Sequence, residues 1–345
     1  MAKKLFGKTK NGEEVYIYEL TNSKGMKAGI LNFGAIIQSL YVPDKDGKTA
    51  DVVLGYDKVS DYEINGSFFG CVIAPSANRI DKAKFTIDGV EYNIDVNDGP
   101  NNLHSHMQLA SHKRIWDVKE DGNSLILSLK IADMDMGFPG NKEISITYTL
   151  TEDNELILHY TGKSDKNTII NPTNHSYFNL SGHDSGKNIE SDVLKLYASK
   201  YTPVYPGAIP TGEIATVKGT VMDFTEGKKV SRNIRDDEEQ LLLVQGYDHN
   251  FAVDGYNGEV NLIAEVEDTD AGRGMEVYSN LPGVQFYAGN CIDTTTGKGG
   301  NVYGKRSGLC LETQYFPDAI HHDNFEAPVF GPGKNYDSTT IYKFV

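Results

Sequence analysis

The chain consists largely of short segments in which apolar and polar residues alternate. In Glu143–Leu150, Ile, Ile, Tyr and Leu occupy every second position, with Ser and Thr between them. A period of two is that of a half-buried β-strand, because successive side chains point to opposite faces of a sheet. The pattern therefore predicts a protein built from sheets that each bury one face.

Similar segments, separated by turn residues, predict much of the remaining structure. Asn154–Tyr160 follows Glu143–Leu150 after a polar turn, so these two segments are predicted to form a hairpin. Asp88-Gly89 lies between Lys84–Ile87 and Val90–Ile94 and strongly indicates a second, tight hairpin. Further strands are predicted at Glu14–Leu20, Ala35–Val42, Ser124–Ile131, Val260–Val266, Val284–Ala288 and Thr340–Phe344.

Helical patterns are scarce. The one candidate is Ser231–Leu242, with Ser231 as its N-cap. A doubly wound α/β fold needs regular helices between its strands, and these are missing. Many short strands with frequent turn signals favour an all-β fold, a large antiparallel β-sandwich. Because no linker or repeat divides the 345 residues, we expect residues 1–345 to form one domain.

Composition narrows the choice of partners and of compartment. The net charge of -15 disfavours nucleic acid and anionic membranes as partners, because a negative field repels phosphate. The three cysteines, Cys71, Cys291 and Cys310, are odd in number, form no Cys-x-x-Cys pair and are expected to be buried free thiols. The N-terminus has no apolar signal-peptide core, and no apolar run reaches membrane length. We expect a soluble, cytoplasmic protein.

Two runs contain residues that favour chemistry over packing. Glu312 closes the apolar stretch at the start of Gly308–Asp318 and is predicted to stand at the end of a buried strand. His175 lies in Asn171–Leu180, where the preceding Asn and Pro residues predict a turn that presents it. One carboxylate and one imidazole in such settings suggest an acid/base pair.

Four separated runs resemble the aldose 1-epimerase (galactose mutarotase) family: Ser76–Ile80, Asn171–Leu180, Gly246–Phe251 and Gly308–Asp318. They occur in the family's order and, with shorter matches between them, span nearly the whole chain. The resemblance implies the galactose mutarotase-like supersandwich, a large antiparallel β-sandwich with a sugar cleft on one face. It also implies an isomerase that uses no cofactor and no metal, with a small aldose sugar as its partner, present as a monomer or homodimer.

The resemblance further implies a role for each matching residue. Glu312 is the expected general base, which removes the proton from O1 of a pyranose, since an ionised carboxylate is purely an acceptor. His175 is the expected general acid, which protonates the ring oxygen O5, since imidazole exchanges protons near neutral pH. The implied substrate-binding residues are Asn78, Arg79, His104, Asp248 and Gln285.

Two positions depart from the family pattern. Ala74-Pro75 precede Ser76 where the family usually has Gly-Arg, and Ser105-His106 follow His104 where it favours a glycine pair. These changes leave the preferred sugar open, including the choice between galactose and glucose.

Histidine clusters also invite a metal hypothesis. They comprise His104, His106 and His112 in one region and His321-His322 in another. No cysteine or carboxylate ligand is obviously placed beside them, and sugar ring opening needs no metal. We therefore expect no catalytic metal.

Three other functions remain open from the sequence. A relative acting on hexose phosphates would need several basic residues in its site, and Arg79 is the one clear candidate. A carbohydrate-binding sandwich without catalysis would have no need of an acid/base pair. A glycoside hydrolase would need two carboxylates flanking the scissile bond, for which Glu312 and Asp248 are available.

Overall fold

Three antiparallel sheets dominate the computed structural model, which describes all residues from Met1 to Val345. The large sheet has nine strands in the order Asp117–Asp121, Ser124–Ile131, Lys142–Leu150, Glu155–Ser164, Tyr336–Phe344, Arg273–Ser279, Asn261–Asp268, Val193–Leu196 and Lys228–Lys229. The N-terminal sheet has five: Ala2–Lys8, Glu14–Thr21, Lys27–Leu31, Ile37–Pro43 and Thr49–Asp51. The third, here called the site sheet, has five in the order Ala215–Thr216, Lys200–Tyr201, Asp248–Ala252, Gly283–Tyr287 and Cys310–Gln314.

Shorter elements connect and border these sheets. The two-stranded pairs are Cys71–Ile73 with Thr173–His175, Arg79–Ile80 with Asn102–Leu103, Lys84–Ile87 with Val90–Asn93, Thr168–Ile169 with Val329–Phe330, Val204–Tyr205 with Ile209–Pro210, and Thr295–Thr296 with Val302–Tyr303. The α-helices are Val59–Glu63 and Glu239–Val244. The 3₁₀ turns are Asp81–Ala83, Ser111–Lys113, Asp135–Gly137, Ile189–Ser191, Val230–Arg232, Lys298–Gly300 and Ala319–His321. No helix combines the length and the apolar character that a membrane crossing requires.

The large sheet buries one face, as the alternating pattern predicts. Lys142–Leu150 and Glu155–Ser164 pair in the predicted hairpin, and their buried and half-buried residues alternate along much of both strands. Leu158 and Ile146 are fully buried and belong to a hydrophobic cluster of 64 residues. Burial of an aliphatic side chain of this size stabilises a fold by about 1.5–3 kcal/mol relative to exposure.

The other two sheets pack against the large sheet and complete the sandwich. On the site sheet, the Thr313 hydroxyl lies 2.5 Å from that of Thr340 in the large sheet, and Leu311 O accepts from Tyr342 at 3.3 Å. Near the N-terminal sheet, Ala35 O accepts from Tyr148 of the large sheet at 2.7 Å. Strands make up 44% of the chain and helices only 9%, so the prediction of an all-β sandwich is confirmed.

Several local predictions need correction. The predicted helix at Ser231–Leu242 is wrong: Ser231 lies inside a 3₁₀ turn, and the α-helix begins later, where Glu238 caps it by accepting from Leu241 N at 3.2 Å. Like charges at Asp236–Glu239 oppose a longer helix in this segment, because negative side chains one turn apart repel. The strand predicted to begin at Ala35 begins at Ile37, because Ala35 has φ of 48° and lies in a turn.

Candidate active site

The site sheet has one apolar face and one polar face, and the polar face forms the floor of a cavity. In Cys310–Gln314, Leu311 and Thr313 face the large sheet, so Cys310, Glu312 and Gln314 face the other way. The neighbouring strands continue the polar face in register, since Gln285 lies opposite Glu312 and also opposite Asn250, while Tyr287 lies opposite Asp248. Strand alternation therefore gathers polar groups from three strands on one surface.

A cavity of about 180 Å³ lies over this surface. It is smaller than the roughly 300–1,000 Å³ of pockets for drug-sized ligands, so it fits a single small molecule. Of the seven site residues predicted from the sequence, six line it and Gln285 does not. The lining residues are Gly66, Ser67, Phe68, Asn78, Arg79, Leu103, His104, His175, Tyr177, Asp248, Tyr287, Cys291 and Glu312.

His175 is held between two aromatic rings. It ends the short strand Thr173–His175, which pairs with Cys71–Ile73, so the predicted presenting turn is replaced by a strand. Its ring stacks on Tyr177 with centroids 5.0 Å apart and on Phe68 at 5.7 Å. Burial between these rings lowers the pKa of His175 to about 4, because imidazolium loses its hydration there. The free ring is therefore neutral at pH 7.

Glu312 lies in the middle of its strand, and the prediction that it stands at the strand end is corrected. Its Oε1 is 3.7 Å from His175 Nε2, and its Oε2 is buried without a hydrogen-bond partner. Burial raises the pKa of Glu312 well above its usual range, the negative charge of Asp248 raises it further, and Arg79 opposes both. The carboxyl group is thus a strong base once it is ionised.

Asp248 is supported from behind by a chain of side-chain amides. Gln285 Nε2 donates to Asp248 Oδ1 at 2.7 Å, and Gln314 Nε2 donates to Gln285 Oε1 at 3.2 Å and to Asn250 Oδ1 at 3.1 Å. Gln314 Oε1 in turn accepts from Asn78 Nδ2 at 3.4 Å. Gln285, which the family resemblance implies as a substrate-binding residue, therefore lies behind the cavity lining and orients Asp248.

Arg79 also lines the cavity. Its Nε donates to Asp98 Oδ2 at 2.7 Å, and its backbone carbonyl accepts from Asp318 N at 3.0 Å. Asp318 also accepts from Asp81 N at 2.9 Å, so it holds both ends of the Arg79–Asp81 segment. The remaining guanidinium donors are available to a ligand, since Arg presents five N–H groups.

His104 has its tautomer set by the backbone. Asn78 N donates to His104 Nδ1 at 3.1 Å, so Nδ1 carries no proton and the neutral ring holds its proton on Nε2. Burial keeps the pKa of His104 well below its usual range, with smaller contributions from His175 and Arg79. His104 is therefore a neutral donor at the cavity wall.

The ring nitrogens of His104 and His175 and a carboxylate oxygen of Glu312 lie within 4.8 Å of one another. Such a trio invites comparison with a metal site, yet a ligating histidine must offer a lone pair. His104 uses its Nδ1 lone pair on Asn78 N–H and bears a proton on Nε2. The arrangement suits proton transfer better than metal ligation. The other histidines of the predicted clusters do not join it: His106 faces Asp95 at 3.7 Å.

The two departures from the family pattern lie against each other. Ser105 Oγ accepts from Ser76 N at 2.9 Å and donates to Ser76 O at 2.8 Å. Ser76 follows Pro75, so the loop that carries Asn78 and Arg79 is fastened by the residue next to His104.

Cys71 and Cys310 are buried as expected, but Cys291 is exposed and lines the cavity, which corrects that prediction.

Several residues of the site were missed from the sequence. Asp98, Asn250 and Gln314 position other groups, and Tyr177 and Tyr287 line the cavity. A usable signal was present in two strands, where polar residues recur every second position: Asp248 with Asn250, and Glu312 with Gln314. Asp98 is distant in sequence from the residue it holds and gave no such signal.

Comparison with known proteins finds relatives along nearly the whole chain. The family model for aldose 1-epimerase matches residues 16–343. Galactose mutarotase from Bos taurus is 39% identical over 323 residues, covering 93% of this chain and 92% of that protein. Aldose 1-epimerase from Escherichia coli is 32% identical over 337 residues, covering 97% and 96%.

Solved structures give the same result for the fold. A crystal structure of an aldose epimerase homologue from C. elegans has a TM-score of 0.87 at 29% identity, covering 95% of this chain and 98% of the other. Galactose 1-epimerase from Lactobacillus acidophilus has a TM-score of 0.86 at 26% identity, covering 100% and 98%. The expectation of an isomerase is confirmed, and the chain belongs to the aldose 1-epimerase family.

Proposed function

We propose that the protein interconverts the α and β anomers of free hexoses such as D-galactose and D-glucose, with Glu312 as general base and His175 as general acid. The observation that carries the proposal is the buried pair itself. A carboxylate oxygen and an imidazole nitrogen lie 3.7 Å apart in a cavity the size of one small ligand. Positioned proton transfer of this kind contributes about 10²–10⁴-fold to a rate.

Ring opening and ring closure each require two proton transfers, and one bond rotation separates them. Glu312 removes the proton from O1 while His175 donates a proton to O5, so the C1–O5 bond breaks and an open-chain aldehyde forms. Rotation about C1–C2 presents the other face of the aldehyde. O5 then attacks C1, O1 recovers its proton from Glu312, and His175 recovers its own from O5, which leaves the enzyme unchanged.

The resting form of the pair differs from this reactive form by one proton transfer. Burial lowers the pKa of His175 to about 4 and raises that of Glu312, so it favours a protonated carboxyl and a neutral ring. Sugar hydroxyls that donate to Glu312 favour its ionised form, and a negative charge 3.7 Å away then favours imidazolium. Transfer of one proton within the pair therefore converts the resting form into the reactive form.

The charges around the cavity support neutral sugars over hexose phosphates. Arg79 is the only cationic side chain among the lining residues of the resting form, because both histidines are neutral there. Asp98, at 2.7 Å, matches the charge of Arg79. Glu312 and Asp248 add negative charge when ionised, which repels a phosphate. The phosphate-specific alternative thus lacks the basic residues it needs.

The test is anomer exchange of freshly dissolved α-D-galactose, followed by polarimetry or by NMR exchange at neutral pH. We expect Glu312→Gln to reduce kcat by about 10²–10⁴-fold, because the amide cannot accept the O1 proton. Galactose affinity, measured by calorimetry, should change far less. Glu143→Gln serves as a matched control, since Glu143 lies on the large sheet and pairs with Lys163.

Two results would reject the proposal. One is wild-type protein that does not accelerate exchange at catalytic concentrations. The other is a Glu312→Gln variant that exchanges anomers at the wild-type rate while Glu143→Gln does the same. Release of nitrophenol from an aryl galactoside would instead support the glycoside hydrolase alternative.

A further inference from the structure

When Glu312 is ionised and His175 is neutral, the floor of the cavity presents two acceptors that face each other. Glu312 Oε1 and His175 Nε2 are 3.7 Å apart, which is too far for a direct hydrogen bond. Glu312 Oε2 is buried and unpaired. A buried acceptor without a partner costs about 1–3 kcal/mol, so a ligand that supplies donors at this point is favoured.

His175 Nε2 is an acceptor in the tautomer of the neutral ring that carries its proton on Nδ1. Nδ1 lies 3.5 Å from Cys310 Sγ, which can accept a hydrogen bond from it as a weak acceptor. When the neutral ring carries its proton on Nδ1, the Nε2 lone pair faces Glu312.

We propose that this cavity binds protonated ring amines, specifically piperidine iminosugars in which an NH₂⁺ group replaces the ring oxygen of the hexose. A secondary ammonium has two N–H donors and one positive charge. Placed about 2.8 Å from both acceptor atoms, its nitrogen would see them about 83° apart, so each N–H would point within about 13° of its acceptor. Both hydrogen bonds can thus form at once.

The charged groups around the site favour a cation. Ionised Glu312 and ionised Asp248 repel each other. The positive charge of the ligand's ring ammonium reduces that repulsion. Arg79, the one cationic side chain at the wall, is already paired with Asp98. The His104 ring is neutral, and its Nε2–H is left to donate to a hydroxyl of the ligand.

The inference rests on the proposed function for the orientation of the ring. If Glu312 serves O1 and His175 serves O5, the ring heteroatom lies beside His175 Nε2. An ammonium there reproduces the protonated ring oxygen that forms as the sugar opens. The proton arrives with the amine or comes from the Glu312 carboxyl, and the complex has the same composition in both cases.

The test compares two ligands that differ only at the ring atom. These are 1,5-dideoxy-1,5-imino-D-galactitol, with NH in the ring, and 1,5-anhydro-D-galactitol, with oxygen. Calorimetry at neutral pH should show the amine binding about 10- to 150-fold more tightly, since hydrogen bonds to charged groups are worth that much. Equal affinity of the two ligands would overturn the inference.

Two further measurements separate hydrogen bonding from charge alone. The N,N-dimethyl derivative of the iminosugar is a quaternary ammonium, which keeps the positive charge but has no N–H donor. It should bind wild-type protein no more tightly than the ring ether. Affinity equal to that of the secondary amine would refute the two-acceptor geometry. In Glu312→Gln the preference for amine over ether should fall at least tenfold, and in Glu143→Gln it should stay unchanged.

The outcome is distinguishable from that of the proposed function. Catalysed galactose exchange together with equal binding of amine and ether means that the function stands and the inference fails. A strong amine preference without any exchange of galactose means that the cation site exists and the proposed reaction does not.

Discussion

The amide behind Asp248 makes a measurable prediction about pH dependence. Gln285 donates to the Asp248 carboxylate at 2.7 Å, and that bond is one of two contacts that lower the pKa of Asp248 against the effect of burial. In Gln285→Met the side chain keeps a similar length and loses its donor. The carboxylate then keeps Arg79 as its only favourable charge and loses its nearest hydrogen bond.

The size of the effect follows from the hydrogen bond. A bond to a charged group contributes about 1.5–3 kcal/mol, and 1.36 kcal/mol corresponds to one pKa unit, so the pKa of Asp248 should rise by about 1–2 units. We propose that Asp248 binds sugar hydroxyls, for which the ionised carboxylate is the better acceptor. The acid limb of the kcat/KM profile should therefore move to higher pH by the same amount, because the ionised form is lost sooner as pH falls.

The assay is anomer exchange between pH 4 and 9, with kcat and KM determined separately. Gln108→Met is the matched control, since Gln108 is exposed and outside the cavity. Gln285→Met should also lose stability, more at pH 8 than at pH 4, because a carboxyl with a raised pKa loses stability as pH rises through that pKa. An acid limb that coincides with wild type would refute the role given to Gln285.

Two further predictions concern stability. Lys298 Nζ lies 2.5 Å from Asp51 Oδ2 with both side chains buried, so Lys298→Met should lower the free energy of unfolding by about 3–5 kcal/mol in urea titrations. Adding Asp51→Asn should restore part of the lost free energy of unfolding, because it removes the unpaired charge. An unchanged free energy of unfolding in Lys298→Met alone would contradict the stabilising role of the pair. Burial, with a smaller effect of nearby Asp268, raises the pKa of Asp192 to about 8, so wild-type stability falls as pH rises towards 8. As pH rises from 5 to 8, the free energy of unfolding of Asp192→Asn should increase by on the order of 4 kcal/mol relative to that of wild type, measured by thermal unfolding. A difference between variant and wild type that does not change with pH would contradict this prediction.

Strands with one buried face could be predicted from the sequence, and strands without such a pattern could not. Lys142–Leu150 and Ser124–Ile131 carry clear alternation and were predicted nearly to the residue. Lys27–Leu31 was missed because all its residues after the first are buried, so it has no alternation to detect. Cys71–Ile73 and Thr173–His175 were missed because each is only three residues long and is defined by its partner.

The candidate site, like the strands, could be predicted from the sequence only in part. Glu312 and His175, which both line the cavity, could be proposed from the sequence because each is a reactive residue in a run that resembles a family motif. Gln285 was also found, but its role was misassigned, because its direction depends on Gln314 in a strand that is remote in sequence. The tautomer of His104 likewise depends on the backbone of Asn78, a contact between distant segments. Which residues belong to the site could be predicted from the sequence, whereas the orientation of their side chains could be seen only in the fold.

The opposite pKa shifts of Glu312 and His175 have one common cause, which is the removal of water. Burial disfavours whichever form is charged, so it raises the pKa of the carboxyl and lowers that of the imidazole. The neutral pair and the ion pair differ by one proton moved over 3.7 Å, and attraction within the ion pair compensates part of its desolvation. A ligand that donates to Glu312 tips this balance. The pair therefore carries no net charge in either form, and we propose that it becomes an acid and a base together when a sugar enters.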